Sequence, residues 1–360
     1  MKPIPIDCIE GLLMGTAVGD SLGLPMEGMK PATIKKLGWT KKWRQRFFFS
    51  YGMWSDDTEH TIMLTQSLLA SGGDPHIFIR KFAWELRMWL LGLPSGTGLA
   101  TAKSMLKLWI GIPPHKSGVF SAGNGSAMRT AVIASFYPND QEKRHALVTA
   151  HTRVTHSDPK ATTASLAVTE IAHLLLTQKE VPNQDAIISI LTSLDGDEDW
   201  KDILRKLELA WEQNLTLSQF IQEIGCNPHK GITGYAYHTV PAVICSGVKH
   251  DWDFETVITE IISAGGDTDT TAAIAGALCG IYGGVSSIPE PWIQSICEWP
   301  TQIKHLKELA LAITNKTPIR VRSHWSPILF LRNIFFLVIV LIHGFSRLLP
   351  TTLRRHIFRP

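Results

Sequence analysis

The 360-residue chain reads as an all-α protein. Apolar residues recur at steps of three and four, as in Ile274, Leu278 and Ile281, and in Val168, Ala172 and Leu175. That is the period of a helix with one buried face. Sustained alternation of period two is hard to find. Gly, Pro and Asn punctuation divides the chain into about a dozen helical patterns with no fixed repeat. Hydrophobic residues make up 44% and charged residues 19%, which excludes wholesale disorder. No Ser- or Pro-rich linker interrupts residues 1–315, so these are expected to form one large domain. Residues 316–360 form a basic, hydrophobic extension.

The N-terminal MKPIPIDCIEGLL has two prolines and two early acids and does not read as a signal peptide. The five cysteines are scattered, odd in number and lack a CxxC pair. This argues against a disulfide framework or a structural zinc site and suits a reducing, cytoplasmic setting. Gly11, Gly15, Gly19 and Gly23 then fall four apart on one helical face. Each costs about 1 kcal/mol against alanine in a helix. The face therefore meets another backbone or a ligand at close range. Glu27 follows in a Pro-Met-Glu-Gly turn. Lys35, Lys36, Lys41, Lys42, Arg44 and Arg46 make a basic stretch assigned to solvent. Phe47 to Tyr51 could form a short strand without an evident partner.

Two acidic clusters precede expected helices. Ser55, Asp56, Asp57, Thr58 and Glu59 come before a helix expected at Thr61–Ala70. Asp267, Thr268, Asp269, Thr270 and Thr271 come before one at Ala272–Ile281. Ser, Asp and Thr are good N-caps, and acids favour a helix N-terminus. One cap needs one such residue, whereas each cluster offers several oxygens in a row. Crowded carboxylates repel unless a cation compensates, and hard divalent cations prefer oxygen ligands. Four aspartates and five hydroxyls together make a two-cation site a serious reading.

Between the clusters, Gly123, Asn124, Gly125 and Ser126 precede a helix expected at Ala131–Phe136. Glycines alternating with small polar residues there can present N–H groups to an anion, or form an ordinary turn. His156 stands before Asp158-Pro159, which reads as a cap followed by a proline at N1 of a helix Ala161–Thr177. His156 is either a phosphate or sugar contact or a surface imidazole. Trp84, Trp89 and Trp109 are expected to serve packing.

The tail differs. From Leu309 to Pro360 there are eight bases and no acid, leaving 27 of the 35 bases against all 32 acids in the rest. A mildly acidic body excludes general nucleic-acid binding. Residues 328–345 are apolar except for Arg332, Asn333 and His343. Eighteen residues is near the lower limit for crossing a bilayer. The segment reads as a membrane anchor or interfacial helix; the alternative is a helix buried against the body or in a dimer.

The segments GLLMGTAVGDSLGLPMEG, WSDDTEHTIML, SAGNGSAMR, THSDPKA and SAGGDTDTTAAIAGALCGIYGG, in this order, resemble the ADP-ribosylglycohydrolase family. That family includes the dinitrogenase-reductase-activating glycohydrolases, and the resemblance spans about residues 7–315. It implies a single orthogonal all-α domain and hydrolysis of the bond between ADP-ribose and a protein side chain or small molecule. It implies two Mg²⁺ or Mn²⁺ ions held by Ser55, Asp56 and Asp57 and by Asp267, Asp269 and Thr270. It also implies Glu27 as the acid–base residue, with Asp57 the second candidate. Gly123, Asn124, Gly125 and Ser126 would cradle the diphosphate, and His156 would line the cleft.

Glycosidic cleavage at the ribose passes through an oxocarbenium-like state, which suits a proton-shuttling carboxylate beside cation-held hydroxyls. Arginine-directed members carry an acid beside a later Gly-x-x-Thr glycine. The segment Pro94–Thr101 has none. This argues against arginine-linked ADP-ribose and leaves serine-linked, other O-linked and free derivatives open. The rival readings are a low-turnover ADP-ribose-binding module recruited to membrane and a two-metal phosphohydrolase acting on the diphosphate.

Overall fold

A computed structural model describes residues 4–178, 180–317, 319 and 321–348. Among these residues there are eighteen α-helices and four 3-10 turns, with strand pairing confined to isolated bridges. The all-α expectation holds. The helices outnumber the periodic patterns because several, such as Pro114–Ser117 and Ile133–Phe136, are single turns of four residues.

The centre of the fold is a seam between α1 (Ile6–Gly23) and a late helix, Thr268–Gly283. A Cβ on Gly11, Gly15 or Gly19 would lie 2.0 Å from the carbonyl oxygen of Gly280, Gly276 or Ala272, respectively. One on Gly23 would lie 2.3 Å from that of Thr268. The fit is reciprocal, because a Cβ on Gly276 or Gly280 would strike the carbonyl of Gly15 or Gly11. All four glycines of α1 therefore serve backbone-to-backbone packing, and none faces a ligand. The seam holds the start of one helix beside the end of the other.

That register places the two acidic clusters. The first lies in the opening turn of α2 (Asp56–Ser71), not before it. Asp20, fully buried near the end of α1, accepts hydrogen bonds from the backbone N–H groups of Ser55 and Thr58, at 2.9 and 3.1 Å. An acid from another helix thus satisfies the orphan donors, and α2 starts five residues earlier than its apolar period suggests. Helix α3 (Pro159–Thr177) begins as expected, with Asp158 accepting from the Lys160 N–H and a proline at N1. The seam helix, α4 (Thr268–Gly283), likewise includes most of its cluster in its first turn. Thr268 Oγ1 donates to the Gly23 carbonyl at 2.8 Å and locks the two ends together.

The extension forms α5 (Pro327–Ser346), and it docks on the body. The three polar residues of its apolar run are the docking contacts. Arg332 is buried, with Nη2 2.8 Å from Glu298 Oε2 and Nη1 3.3 Å from Glu59 Oε1. Asn333 donates to the Gly92 carbonyl, and His343 Nε2 lies 2.8 Å from the Phe47 carbonyl. Phe47 lies between these contacts, stacked on His343 and packed at a tilt against Phe336. The Phe47–Tyr51 patch is a tight turn closed by a Phe48–Tyr51 bridge, and α5 is the partner missing from the sequence reading.

Candidate active site

The two acidic clusters meet. Thr270 Oγ1, in the first turn of α4, lies 3.3 Å from Asp57 Oδ2 in the first turn of α2. Ser55 Oγ lies 2.8 Å from Asp20 Oδ1 and 3.2 Å from Asp57 Oδ2. Behind them, Thr58 Oγ1 donates to Asp20 Oδ2 at 2.6 Å. On the other side, Asn124 donates from Nδ2 to Asp267 Oδ2 at 2.8 Å. Backbone bonds join the Glu27 turn to the same place: Gly28 N–H donates to the Gly266 carbonyl, and Gly266 N–H to the Met29 carbonyl.

Neither cluster is spent on capping. The N-cap residues Ser55 and Asp267 make no side-chain cap bond to their helices. Oδ1 of Asp57 and Oδ1 of Asp269 are buried and have no hydrogen-bond partner. Such atoms cost free energy unless something compensates them.

The electrostatics agree. Burial first, and then the neighbouring charges of Asp20, Asp56 and Asp267, push Asp57 well above the usual carboxylate range. Asp269 is raised in the same way by burial and by Glu27, Asp267 and Asp57. Asp56 is raised by burial, Asp20 and Glu27. Asp20 is pushed up to about 6 by burial, against the hydrogen bonds it accepts.

Like charges packed this closely suit a bound cation. The donor set is carboxylate and hydroxyl oxygen, which is the kind of set that fits hard divalent ions. Among the described residues no three His, Cys, Asp or Glu side chains converge on one point. The set is mixed, with the Ser55 and Thr270 hydroxyls standing beside the acids.

Glu27 is raised by burial and by the Asp267 charge, and Arg347 opposes the rise. This arginine, just past the end of α5, was not expected at the site. Its Nη1 would lie 3.5 Å from a Cβ on Gly28. Across the cluster, a Cβ on Gly96 would lie 3.6 Å from Asp56 Oδ1, which puts the acid-free segment Pro94–Thr101 against the first cluster.

The glycine-rich loop departs from expectation in three ways. The expected helix Ala131–Phe136 is only a 3-10 turn, Ala127–Arg129, and the helical turn Ile133–Phe136. So short a run lends the loop little dipole. Gly123 and Gly125 lack side chains because His156 lies beneath them; Cβ atoms there would stand 3.3 and 3.1 Å from its ring. Ser126 is fully buried, and its Oγ accepts from Ser165 at 2.9 Å, so its hydroxyl serves packing on α3. Asn124 instead positions an acid of the second cluster.

His156 is not a surface imidazole. It is buried, and burial and the Arg129 charge lower its pKa to about 3. Its ring is therefore neutral, and Nδ1 lies 2.8 Å from Thr155 Oγ1. Thr155 also accepts from Arg129, whose other Nη lies 2.9 Å from His60 Nδ1. Sequence reasoning missed Asp20, Arg347 and this Arg129–His60 layer. A lone acid in the small-residue half of α1 was the available signal for Asp20. Arg129 and Arg347 carried none, because each gains its place by a long-range contact.

Residues 1–320 match the family model for ADP-ribosylglycohydrolase. An ADP-ribosyl-[dinitrogen reductase] glycohydrolase of Rhodospirillum rubrum is 27% identical over 303 residues, covering 79% of this chain and 89% of its own. An ADP-ribosylhydrolase ARH3 of Gallus gallus is 28% identical over 337 residues, covering 80% and 88%. A solved ADP-ribosylglycohydrolase-related protein complex shares the fold at a TM-score of 0.65 and 24% identity, over 87% of this chain and 98% of that one. The chain belongs to the ADP-ribosylglycohydrolase family, whose activity is the hydrolysis of ADP-ribose conjugates.

Proposed function

We propose that this chain is a divalent-cation-dependent hydrolase that cuts the glycosidic bond between ADP-ribose and an O-linked side chain or small molecule, releasing intact ADP-ribose. One observation carries the reading: Thr270 and Asp57, 213 residues apart, bring together two acidic clusters that cap nothing. Ser55, Asp56 and Asp57 would hold one Mg²⁺ or Mn²⁺, and Asp267, Asp269 and Thr270 the other. When bound, such ions hold ribose hydroxyls and lower the pKa of a water.

The chain's own residues do the rest. Glu27 stands at the edge of the cluster, where burial and the Asp267 charge raise its pKa and so favour its proton-carrying form. It would take a proton from the attacking water or give one to the leaving oxygen. Asn124 keeps Asp267 oriented, and Asp20 fixes the α2 turn from behind. Neutral His156 supports the loop over which the diphosphate would lie. The segment Pro94–Thr101 brings no carboxylate to Asp56, so nothing there pairs with a guanidinium leaving group. This favours serine- or threonine-linked conjugates over arginine-linked ones.

The test is product analysis on serine-, threonine- and arginine-linked ADP-ribosyl peptides, with magnesium, with manganese and with chelator. The expected result is intact ADP-ribose from the O-linked peptides, lost on chelation. Glu27→Gln should still bind but cease to cleave. AMP plus ribose phosphate would mean a phosphohydrolase, and tight binding without product would mean a recognition module.

A further inference from the structure

Helix α5 is apolar on both faces, burying Leu329, Phe336 and Ile339 against the body while its polar residues also turn inward. Its inward face carries Arg332, Asn333 and His343, all buried against the body. Its outward face carries Leu331, Ile334, Val338, Leu341, Ile342 and Phe345, between 42% and 68% exposed. These six follow the three-and-four step of one helical stripe. An exposed apolar stripe of this length on a soluble body marks an interaction surface.

Two features say what covers it. The first is charge: besides the buried Arg332, residues 309–360 hold seven bases and no acid, while the rest of the chain is mildly acidic. The second is the neighbouring aromatic turn. Phe48 packs on Phe335 of α5 at 5.4 Å, and Phe49 beside it is 72% exposed. That turn follows a stretch with Lys35, Lys36, Lys41 and Lys42 exposed. Aromatic and aliphatic groups flanked by arginine and lysine suit the interface of an anionic bilayer.

We propose that α5 and the Phe48–Phe49 turn form a docking surface for an anionic membrane, with α5 lying in the plane of the leaflet. A spanning orientation conflicts with the contacts of Arg332. To cross the bilayer, α5 would have to leave the body and strip Glu298 and Glu59 of their buried partner. In-plane docking keeps those pairs and buries only the outward stripe. It also has a consequence for the active site. Arg347, just past the end of α5, stands beside the Glu27 turn, so docking holds the cleft at the membrane surface.

The test is flotation of the purified full chain with phosphatidylcholine vesicles, with and without phosphatidylglycerol. The expected result is flotation with the phosphatidylglycerol vesicles alone, weakened by raised salt because the bases are screened. The triple variant V338D/L341D/I342D should lose flotation while its melting temperature and circular dichroism stay unchanged. Failure of the full chain to float with phosphatidylglycerol overturns the proposal. So does a dimer in light scattering that the triple variant splits, which would make a second copy the occupant. Resistance to carbonate extraction, with the chain ends on opposite sides of the vesicle, overturns the in-plane orientation.

Discussion

Aspartate stands at the start of many helices here, but the chain uses it in two ways. Asp74, Asp140, Asp158, Asp197 and Asp253 each accept a hydrogen bond from an N–H in the first turn of their own helix. At α2 and α4 the N-cap side chains do not. Asp20 takes over the donors of α2 from a different helix. Asp267 is turned towards Asn124. Composition and position alone cannot separate the two groups. What separates them is release: an acid relieved of capping, buried and crowded by its neighbours, has oxygen atoms to offer a cation. An acid that caps its own helix has already used them.

The difference is broken most directly at the crowded acids. Asp57→Asn and Asp269→Asn should each lower kcat by more than about 100-fold, beyond the 10–100-fold common for supporting residues of a metal site. Stability should move in the opposite direction. Each substitution removes a buried charge whose ionised form is disfavoured by burial and by its neighbours. The metal-free variants should therefore melt no lower than the parent. Magnesium should then restore the order. A hundredfold excess over Kd adds about 2.7 kcal/mol to the parent and less to the variants. Melting curves with and without magnesium check both halves. A variant that melts lower without metal and still gains fully from magnesium would place these acids in the structural group.

A smaller effect is expected at the residue that holds one of these acids in place. Asn124→Ala removes the donor to Asp267 and leaves every acid present. Its cost should be about 10–100-fold in cation affinity. Manganese titration followed by electron paramagnetic resonance measures this directly. A residue that only packed the loop would lower the melting temperature and leave the affinity alone.

The acidic runs, the glycine spacing and the apolar tail were all legible in the sequence, because each is a short pattern within one element. What joins them was not. The four glycines of α1 show that something comes close, but the partner carbonyls lie far along the chain, on Thr268, Ala272, Gly276 and Gly280. Asp20 reads as one acid in a run of small residues until Ser55 and Thr58 are placed against it. The tail was legible only in part. Arg332 and Asn333 look like flaws in a membrane helix, and they become docking contacts only once Glu298, Glu59 and Gly92 are known. Ser126 fits a phosphate-loop pattern by type, yet its hydroxyl belongs to the packing of α3.

The smallest effect concerns the other group of aspartates. Asp253 caps the helix Phe254–Ser263, accepting from the Thr256 N–H at 2.9 Å. That helix buries Phe254, Val257, Ile258, Ile261 and Ile262, so packing sets most of its stability and the cap adds a modest increment. Asp253→Ala should cost about 1 kcal/mol. The helix leads directly into the loop before Asp267, so fraying that reached the site would appear as altered kcat. A lone cap frays only the first turn, at the far end from that loop. The expected outcome is a lower denaturation midpoint with kcat, KM and magnesium affinity unchanged. A loss of hydrolysis comparable to that of Asp57→Asn would erase the distinction, because an acid that caps its own helix would then matter as much as one that does not.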